Sequence, residues 1–160
     1  MPEPVKWFCL SAAVAVLDYL TKIAVLAALA PGESRAVAPF FNLVLVFNKG
    51  AAFSFLAGAE GWQTPFFAAI AVVVSVVVGF LILKNKGKKL FCAGLALILG
   101  GALGNLYDRL AYGQVVDFLD LHAAGWHWPA FNVADSAITV GAVILIVESF
   151  CSKKSDETPA

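Results

Sequence analysis

The sequence predicts a mainly α-helical integral membrane protein with four transmembrane helices. Of its 160 residues, 61% are hydrophobic and only 14% are charged, and the mean hydropathy is +0.84. Soluble domains are about 45–50% apolar and about 25% charged, so this chain falls outside that class. The length fits a single membrane domain. The apolar residues form four runs, each long enough for a bilayer-crossing helix.

Polar or turn-forming residues bound each predicted span. The spans cover residues 5–30, 64–83, 90–106 and 133–151. The polar tail 152–160 is expected to be disordered. A cleavable signal peptide is the alternative for the first run, but Asp18 and Lys22 interrupt it, and a secretory hydrophobic region carries no charges. Four residues apart, they share a helix face and can pair, so a retained helix is predicted.

The first polar connection, residues 31–62, contains a predicted strand. Phe41–Phe47 is short, β-branched and aromatic, and turn-forming residues bound it. Residues 51–56 could form a second strand or lie in the membrane interface, where Trp62 fits as an anchor. Thr64-Pro65 predicts the next helix start, with a capping hydroxyl followed by proline.

Basic residues are concentrated at one set of helix ends. Seven flank those ends: Lys6, Lys84, Lys86, Lys88, Lys89, Lys153 and Lys154. The opposite connections hold three: Arg35, Lys49 and Arg109. The positive-inside rule therefore predicts cytosolic termini, with residues 31–62 and 107–132 extracytoplasmic. Nucleic acid is not an expected partner, because no other basic face exists.

The stretch from Gly100 to Ser136 holds four of the 11 acidic residues and lies between two apolar runs. Carboxylates near lipid are costly and by default indicate function. The stretch is therefore the candidate active site. Its candidate residues are Asn105, Asp108, Arg109, Asp117, Asp120, Asn132 and Asp135.

Several of these residues also have a structural interpretation. Asn132 could cap the fourth span, with Asp135 as the acid at its third position. Arg109 could reach lipid phosphates, or it could act with Asn105, four residues earlier, on a substrate. Asp108 could form a salt bridge or sit at a helix terminus. Capping and catalysis are compatible, since a helix start holds a carboxylate rigidly.

Paired aspartates suggest a specific chemistry. Two carboxylates in a partly dry site share a proton, so one can activate water while the other polarises a carbonyl. This is aspartic peptidase chemistry, and it requires neither metal nor cofactor. Asp117 and Asp120 compete for one of the two roles, and composition does not choose between them. His122 and His127 lack an HExxH pattern, so no zinc site is expected.

Five motif blocks, in order along the whole chain, resemble those of the bacterial lipoprotein signal peptidases, the signal peptidase II family. The blocks are Asp18–Lys22, Phe47–Phe53, Gly101–Arg109, Val115–Phe118 and Phe131–Ser136. The resemblance implies an inner-membrane aspartic endopeptidase with four helices. It also implies a prolipoprotein substrate whose cysteine already carries diacylglycerol, cut on the N-terminal side of that cysteine.

Carried over by motif, the resemblance makes Asp117 and Asp135 the catalytic pair, with Asp120 outside the matched block. It assigns substrate-binding positions to Asn48, Asn105, Arg109 and Asn132, and a structural charged pair to Asp18 and Lys22. It further implies that residues 41–56 form a small extracytoplasmic β-sheet that cradles the substrate. The expected partners are lipidated prolipoproteins and membrane lipid, with no cofactor or metal, and the chain is expected to be a monomer.

A small transporter or channel is the alternative function. Its polar path would be lined by Asp18, Lys22, Arg109 and Asp135, and it would place charges at mid-depth in several spans. The second and third spans have no charge at their centres, and the acids cluster at one face. The pattern therefore favours the peptidase.

Overall fold

The computed structural model describes residues 3–50 and 62–156, with side chains as far as residue 151. Within this part, the elements in chain order are α1 (Glu3–Ala28), β1 (Ser34–Ala38), β2 (Phe41–Asn48), α2 (Gln63–Lys84), α3 (Lys89–Tyr112), β3 (Val115–Ala123), β4 (Trp126–His127) and α4 (Val133–Asp156). All four helices are long and apolar enough to cross a membrane. The predicted fold class, four transmembrane helices with a small sheet, is confirmed.

Two helices extend beyond their predicted ends. α3 continues past residue 106 to Tyr112, because Asn105 and Asp108 in its last turns are buried against protein and do not mark a solvated loop. It ends at Gly113, whose φ of +69° suits glycine. α4 continues to Asp156, past the predicted end of the span at residue 151. Residues 157–160 lie outside the described residues.

α2 begins without the capping hydroxyl that the sequence predicted. Its N-cap residue is Trp62, and no side chain caps it. The Thr64 hydroxyl donates instead to the Gly113 carbonyl at 2.8 Å. That bond ties the start of α2 to the end of α3.

α3 packs against each of the other three helices, and glycines on its surface allow close approach. A Cβ at Gly100 would lie 2.6 Å from the Ser11 carbonyl oxygen of α1. One at Gly104 would lie 2.6 Å from Asp18 Oδ2. This close approach places Asp18 directly against α3.

The strands form one antiparallel sheet in the order β1-β2-β3-β4. β2 confirms the predicted strand, and it pairs with β3 so that Val46 lies opposite Asp117 and Asn42 opposite Asp120. The sheet extends beyond the 41–56 segment implied by the resemblance, because β1 and β3 supply its other long strands. Residues 51–56, the possible second strand, lie outside the described residues.

A small apolar core fixes the sheet to the bundle. Val25 and Leu29, at the end of α1, pack with Leu45 of β2 and with Val116 and Phe118 of β3. Fully burying such side chains contributes about 1.5–3 kcal/mol each. β3 is thereby held against the helices, with Asp117 between two anchored neighbours.

Candidate active site

Asp117 lies on β3 and lines a cavity of about 430 Å³. Asn48 Nδ2 donates to its Oδ2 at 3.0 Å, and Asn132 Nδ2 donates to its Oδ1 at 2.8 Å. Its side chain is almost completely buried. Burial, and after it the nearby charge of Asp135, raises the pKa of Asp117 to about 7 against the opposing effect of these hydrogen bonds.

Asp135 lines the same cavity from the first turn of α4. Its backbone N–H donates to Asn132 Oδ1 at 2.9 Å, and its Oδ2 accepts from the Asn132 N–H at 3.3 Å. This reciprocal capping box confirms the predicted cap. Asn105 Nδ2 also donates to Asp135 Oδ1 at 2.8 Å. The cap and the neighbouring amide therefore fix the carboxylate toward the cavity.

Two asparagine amides connect the aspartates. Asn132 Nδ2, which donates to Asp117, also lies 3.2 Å from Asn105 Oδ1 and 3.2 Å from the Val116 carbonyl oxygen. Asn105 in turn donates to Asp135. The two carboxylates are thus held by one continuous hydrogen-bonded unit.

Arg109 lines the cavity and is hydrogen-bonded to backbone. Its Nη1 donates to the Asn105 carbonyl at 3.1 Å, and its Nη2 donates to the Gly50 carbonyl at 3.1 Å. The guanidinium lies 5.6 Å from the centre of the Phe67 ring, within cation–π range. The geometry therefore favours a role inside the protein over a contact with lipid phosphates.

Asp120 is engaged elsewhere. Asn42 Nδ2 donates to its Oδ2 at 2.8 Å, and His127 Nδ1 lies 2.9 and 3.0 Å from its two oxygens. Although burial opposes the effect, these hydrogen bonds hold the pKa of Asp120 below its usual value. Asp117 and Asp120 are three residues apart on a strand, so they point to opposite faces. Asp117 is therefore the competitor that faces the cavity with Asp135.

Behind the cavity lies a buried group that we call the Lys22 cluster: Lys22, Asp18 and Asp108. Lys22 Nζ is 2.7 Å from Asp18 Oδ2 and 2.8 Å from Asp108 Oδ2. The ion pair predicted from the spacing of Asp18 and Lys22 is present. Asp108 is a salt-bridge partner, the first of its two interpretations. Lys22 Nζ also donates to Asn105 Oδ1 at 3.1 Å, so the cluster contacts the hydrogen-bonded unit that holds the aspartates.

The cavity has an apolar side that the sequence did not reveal. It is lined by Leu121 and Trp128 from the sheet region and by Thr139 and Val140 from α4. Thr139 follows Asp135 by four residues and so shares its helix face, which is the one signal that could have indicated it. In the described part of the chain, no group of three His, Cys, Asp or Glu side chains could hold a metal ion.

Comparison with known proteins identifies the family. The sequence profile described as signal peptidase (SPase) II matches residues 10–151. The chain belongs to the signal peptidase II family. The lipoprotein signal peptidase of Paraburkholderia phymatum is 56% identical over 142 residues, which cover 89% of this chain and 86% of that protein. That of Ralstonia nicotianae is 58% identical over 142 residues, covering 89% of this chain and 82% of that protein.

A solved structure described as a bacterial membrane enzyme has the same fold. Its TM-score is 0.84 at 30% sequence identity, and the match covers 97% of this chain and 93% of that one. Membership of the signal peptidase II family makes this chain an aspartic peptidase of the membrane. The predicted peptidase activity is confirmed, and the transporter alternative is set aside.

Proposed function

We propose that this member of the signal peptidase II family removes the signal peptides of prolipoproteins, with Asp117 and Asp135 as its catalytic pair. The cut falls on the N-terminal side of a cysteine that carries diacylglycerol. The observation that carries the assignment is that the buried Asp117 and the half-buried Asp135 line one cavity, each held by an asparagine amide. Relatives more than half identical to this chain bear the name lipoprotein signal peptidase.

In the mechanism, the two aspartates share one proton, and their ionisation belongs to the pair. The ionised carboxylate takes a proton from water, whose oxygen adds to the scissile carbonyl carbon. The protonated carboxyl donates its proton to the carbonyl oxygen, which gives a tetrahedral diol. Return of a proton to the departing nitrogen breaks the C–N bond. The products are the signal peptide carboxylate and the free amine of the lipidated cysteine.

The surroundings of the pair suit an extended lipid-linked substrate. Asn48, Asn105 and Asn132 donate to the pair. Arg109 lines the same cavity, and all four side chains offer polar groups to a substrate backbone. The apolar side, with Trp128 and Val140, faces acyl chains that remain in the lipid. Because these residues position rather than react, their substitution lowers activity less than loss of either aspartate.

The decisive experiment is cleavage of a diacylglyceryl-modified prolipoprotein by the purified protein in detergent. Asp117→Asn and Asp135→Asn are expected to lose activity by about 10²–10⁴-fold, the usual contribution of general acid–base groups. Asp120→Asn is the matched control and should retain activity. An inactive Asp120→Asn beside an active Asp117→Asn would show the pair to be misassigned. Failure of the wild type to cleave would overturn the proposed function.

We also propose that the protein is a monomer of the cytoplasmic (inner) membrane with both termini in the cytosol. The distribution of lysine and arginine supports this topology. A membrane-impermeant maleimide should label Ala124→Cys, in the turn between β3 and β4, in spheroplasts. It should label Lys86→Cys, between α2 and α3, only after permeabilisation. The reverse labelling pattern would show that the topology is the opposite of the proposed one. The monomer is tested by measuring the mass of the purified protein in detergent by light scattering.

A further inference from the structure

We propose that Lys22 is a positioning residue for the catalytic pair: its buried ammonium holds three acceptors, and each of them fixes an aspartate or the residue before it. The proposal rests on the proposed function, because it assumes that Asp117 and Asp135 react. Lys22 itself does not line the cavity. Lys22 therefore contacts the reacting groups only through its partners, although its charge also lowers the pKa of Asp117.

The first connection leads to Asp117. Asp108 Oδ2 lies 2.8 Å from Lys22 Nζ, and the same oxygen accepts from the Val116 N–H at 3.0 Å. Val116 is fully buried and immediately precedes Asp117 on β3. The Asp108 carboxylate of α3 thus holds the backbone of β3 at the residue immediately before Asp117.

The second connection leads to Asp135 in the same way. Asp18 Oδ2 lies 2.7 Å from Lys22 Nζ, and its Oδ1 accepts from the Ala134 N–H at 2.9 Å. Ala134 immediately precedes Asp135 in the first turn of α4, where backbone N–H groups lack helical partners. One ammonium therefore joins two carboxylates, each bound to the backbone one residue before a catalytic aspartate.

The third connection fixes which way the side-chain amide of Asn105 is turned. Asn105 Oδ1 accepts from both Lys22 Nζ at 3.1 Å and Asn132 Nδ2 at 3.2 Å. A flipped amide would aim its NH₂ group at two other donors. Asn105 is therefore held with Nδ2 toward Asp135. Without the ammonium, one of the two groups that enforce this orientation is gone.

A simpler role for Lys22 is to neutralise the buried carboxylates of Asp18 and Asp108. The two roles separate in a triple variant, Asp18→Asn with Lys22→Met and Asp108→Asn. This variant carries no charge in the cluster but keeps an acceptor for the Ala134 and Val116 N–H groups. It lacks the donor to Asn105. Lys22→Met alone leaves two buried carboxylates without their cation, which is strongly destabilising, so the triple variant carries the test.

The test measures kcat and KM for the lipidated prolipoprotein, together with thermal unfolding, in detergent. If Lys22 positions the pair, the folded triple variant keeps a near wild-type KM and loses kcat on the order of 10²-fold, as for a misplaced catalytic group. Ser11→Ala is the control on the same helix. Ser11 is buried and bonds the Ala96 carbonyl of α3, so its loss should lower stability and leave kcat unchanged.

A triple variant with wild-type kcat would overturn the proposal and leave Lys22 a charge-balancing role. A fall in kcat equal to that of Ser11→Ala at matched stability would also overturn it, since general loosening would then explain the loss. Failure of the proposed function would look different, because the wild-type enzyme itself would not cleave the substrate.

Discussion

Asn132 donates a 2.8 Å hydrogen bond from Nδ2 to Asp117 Oδ1 while its own Oδ1 caps α4 through the Asp135 N–H. One side chain therefore joins a strand and a helix start at the point where the two carboxylates meet the cavity. Ordinary helix capping thus also sets the geometry of the proposed catalytic pair. The two contributions of Asn132 can be separated by substitution.

Asn132→Ser should keep the cap and lose the amide donor, whereas Asn132→Ala should lose both. Serine caps helices about as well as asparagine, and alanine costs about 0.5–2 kcal/mol. We therefore expect Asn132→Ser to unfold at a higher temperature than Asn132→Ala, while both show similarly reduced kcat. Thermal unfolding and cleavage assays on the two variants measure this. A serine variant with wild-type kcat would show that the amide is dispensable.

The pKa of Asp117 makes the stability of the fold depend on pH. Burial raises this pKa from 3.8 to about 7, so the folded state favours the protonated form. The protonated Asp117 side chain therefore contributes to stability fully below about pH 4, and this contribution is lost as the pH rises to about 7. The asparagine of Asp117→Asn does not titrate, so this variant does not lose stability in that pH window as the wild type does. The unfolding temperature of the variant minus that of the wild type should therefore rise from about pH 4 to about pH 7 and stay constant above it. A difference that stays constant with pH would contradict the shifted pKa.

Arg109→Lys should weaken catalysis although it keeps the charge. The guanidinium reaches two carbonyls, those of Asn105 and Gly50, and an ammonium cannot reproduce that fork. Loss of one hydrogen bond to a charged group costs about 1.5–3 kcal/mol, so kcat/KM should fall by roughly tenfold or more. Arg35→Lys is the control, because Arg35 is exposed and pairs with Glu33 at the surface. Equal effects at the two positions would argue against a specific role for Arg109.

Gly104→Ala should be destabilising and should disturb the Lys22 cluster. A Cβ there would lie 2.6 Å from Asp18 Oδ2, so α1 and α3 must move apart or the carboxylate must shift. Overpacking of this kind costs about 1–3 kcal/mol. Gly87→Ala, in the loop after α2, meets no atom within 4 Å and should unfold as the wild type does. Unfolding temperatures in detergent compare the two, and equal values would contradict the close packing.

The helices were largely predictable because a bilayer requires long apolar runs whatever the tertiary structure. The end of α3 was not predictable, since Asn105 and Asp108 are typical of a loop until the neighbouring helices that bury them are known. Strand β3 was also not predicted. Asp117 and Asp120 interrupt the apolar pattern of β3, and only the pairing with β2 shows that this segment is a strand. On a strand, residues three apart point in opposite directions.

The site was predictable where the information is local. The spacing of Asn132 and Asp135 indicates a capping box, and that of Asp18 and Lys22 an ion pair. The contact of Lys22 with Asp108 was not predictable, because it depends on how α1 and α3 are rotated about their axes. Motif resemblance can assign such residues to a site, but it does not say which atoms they hold.

The Lys22 cluster also has a consequence for biogenesis. Asp18 and Lys22 lie one turn apart in the helix that is synthesised first, so α1 can enter the bilayer as a neutral pair. The remaining partners arrive only with α3, β3 and the start of α4. The arrangement of the proposed catalytic pair is therefore completed only when the last helix has been inserted, and we expect a chain arrested before that point to have no protease activity against its neighbours in the membrane.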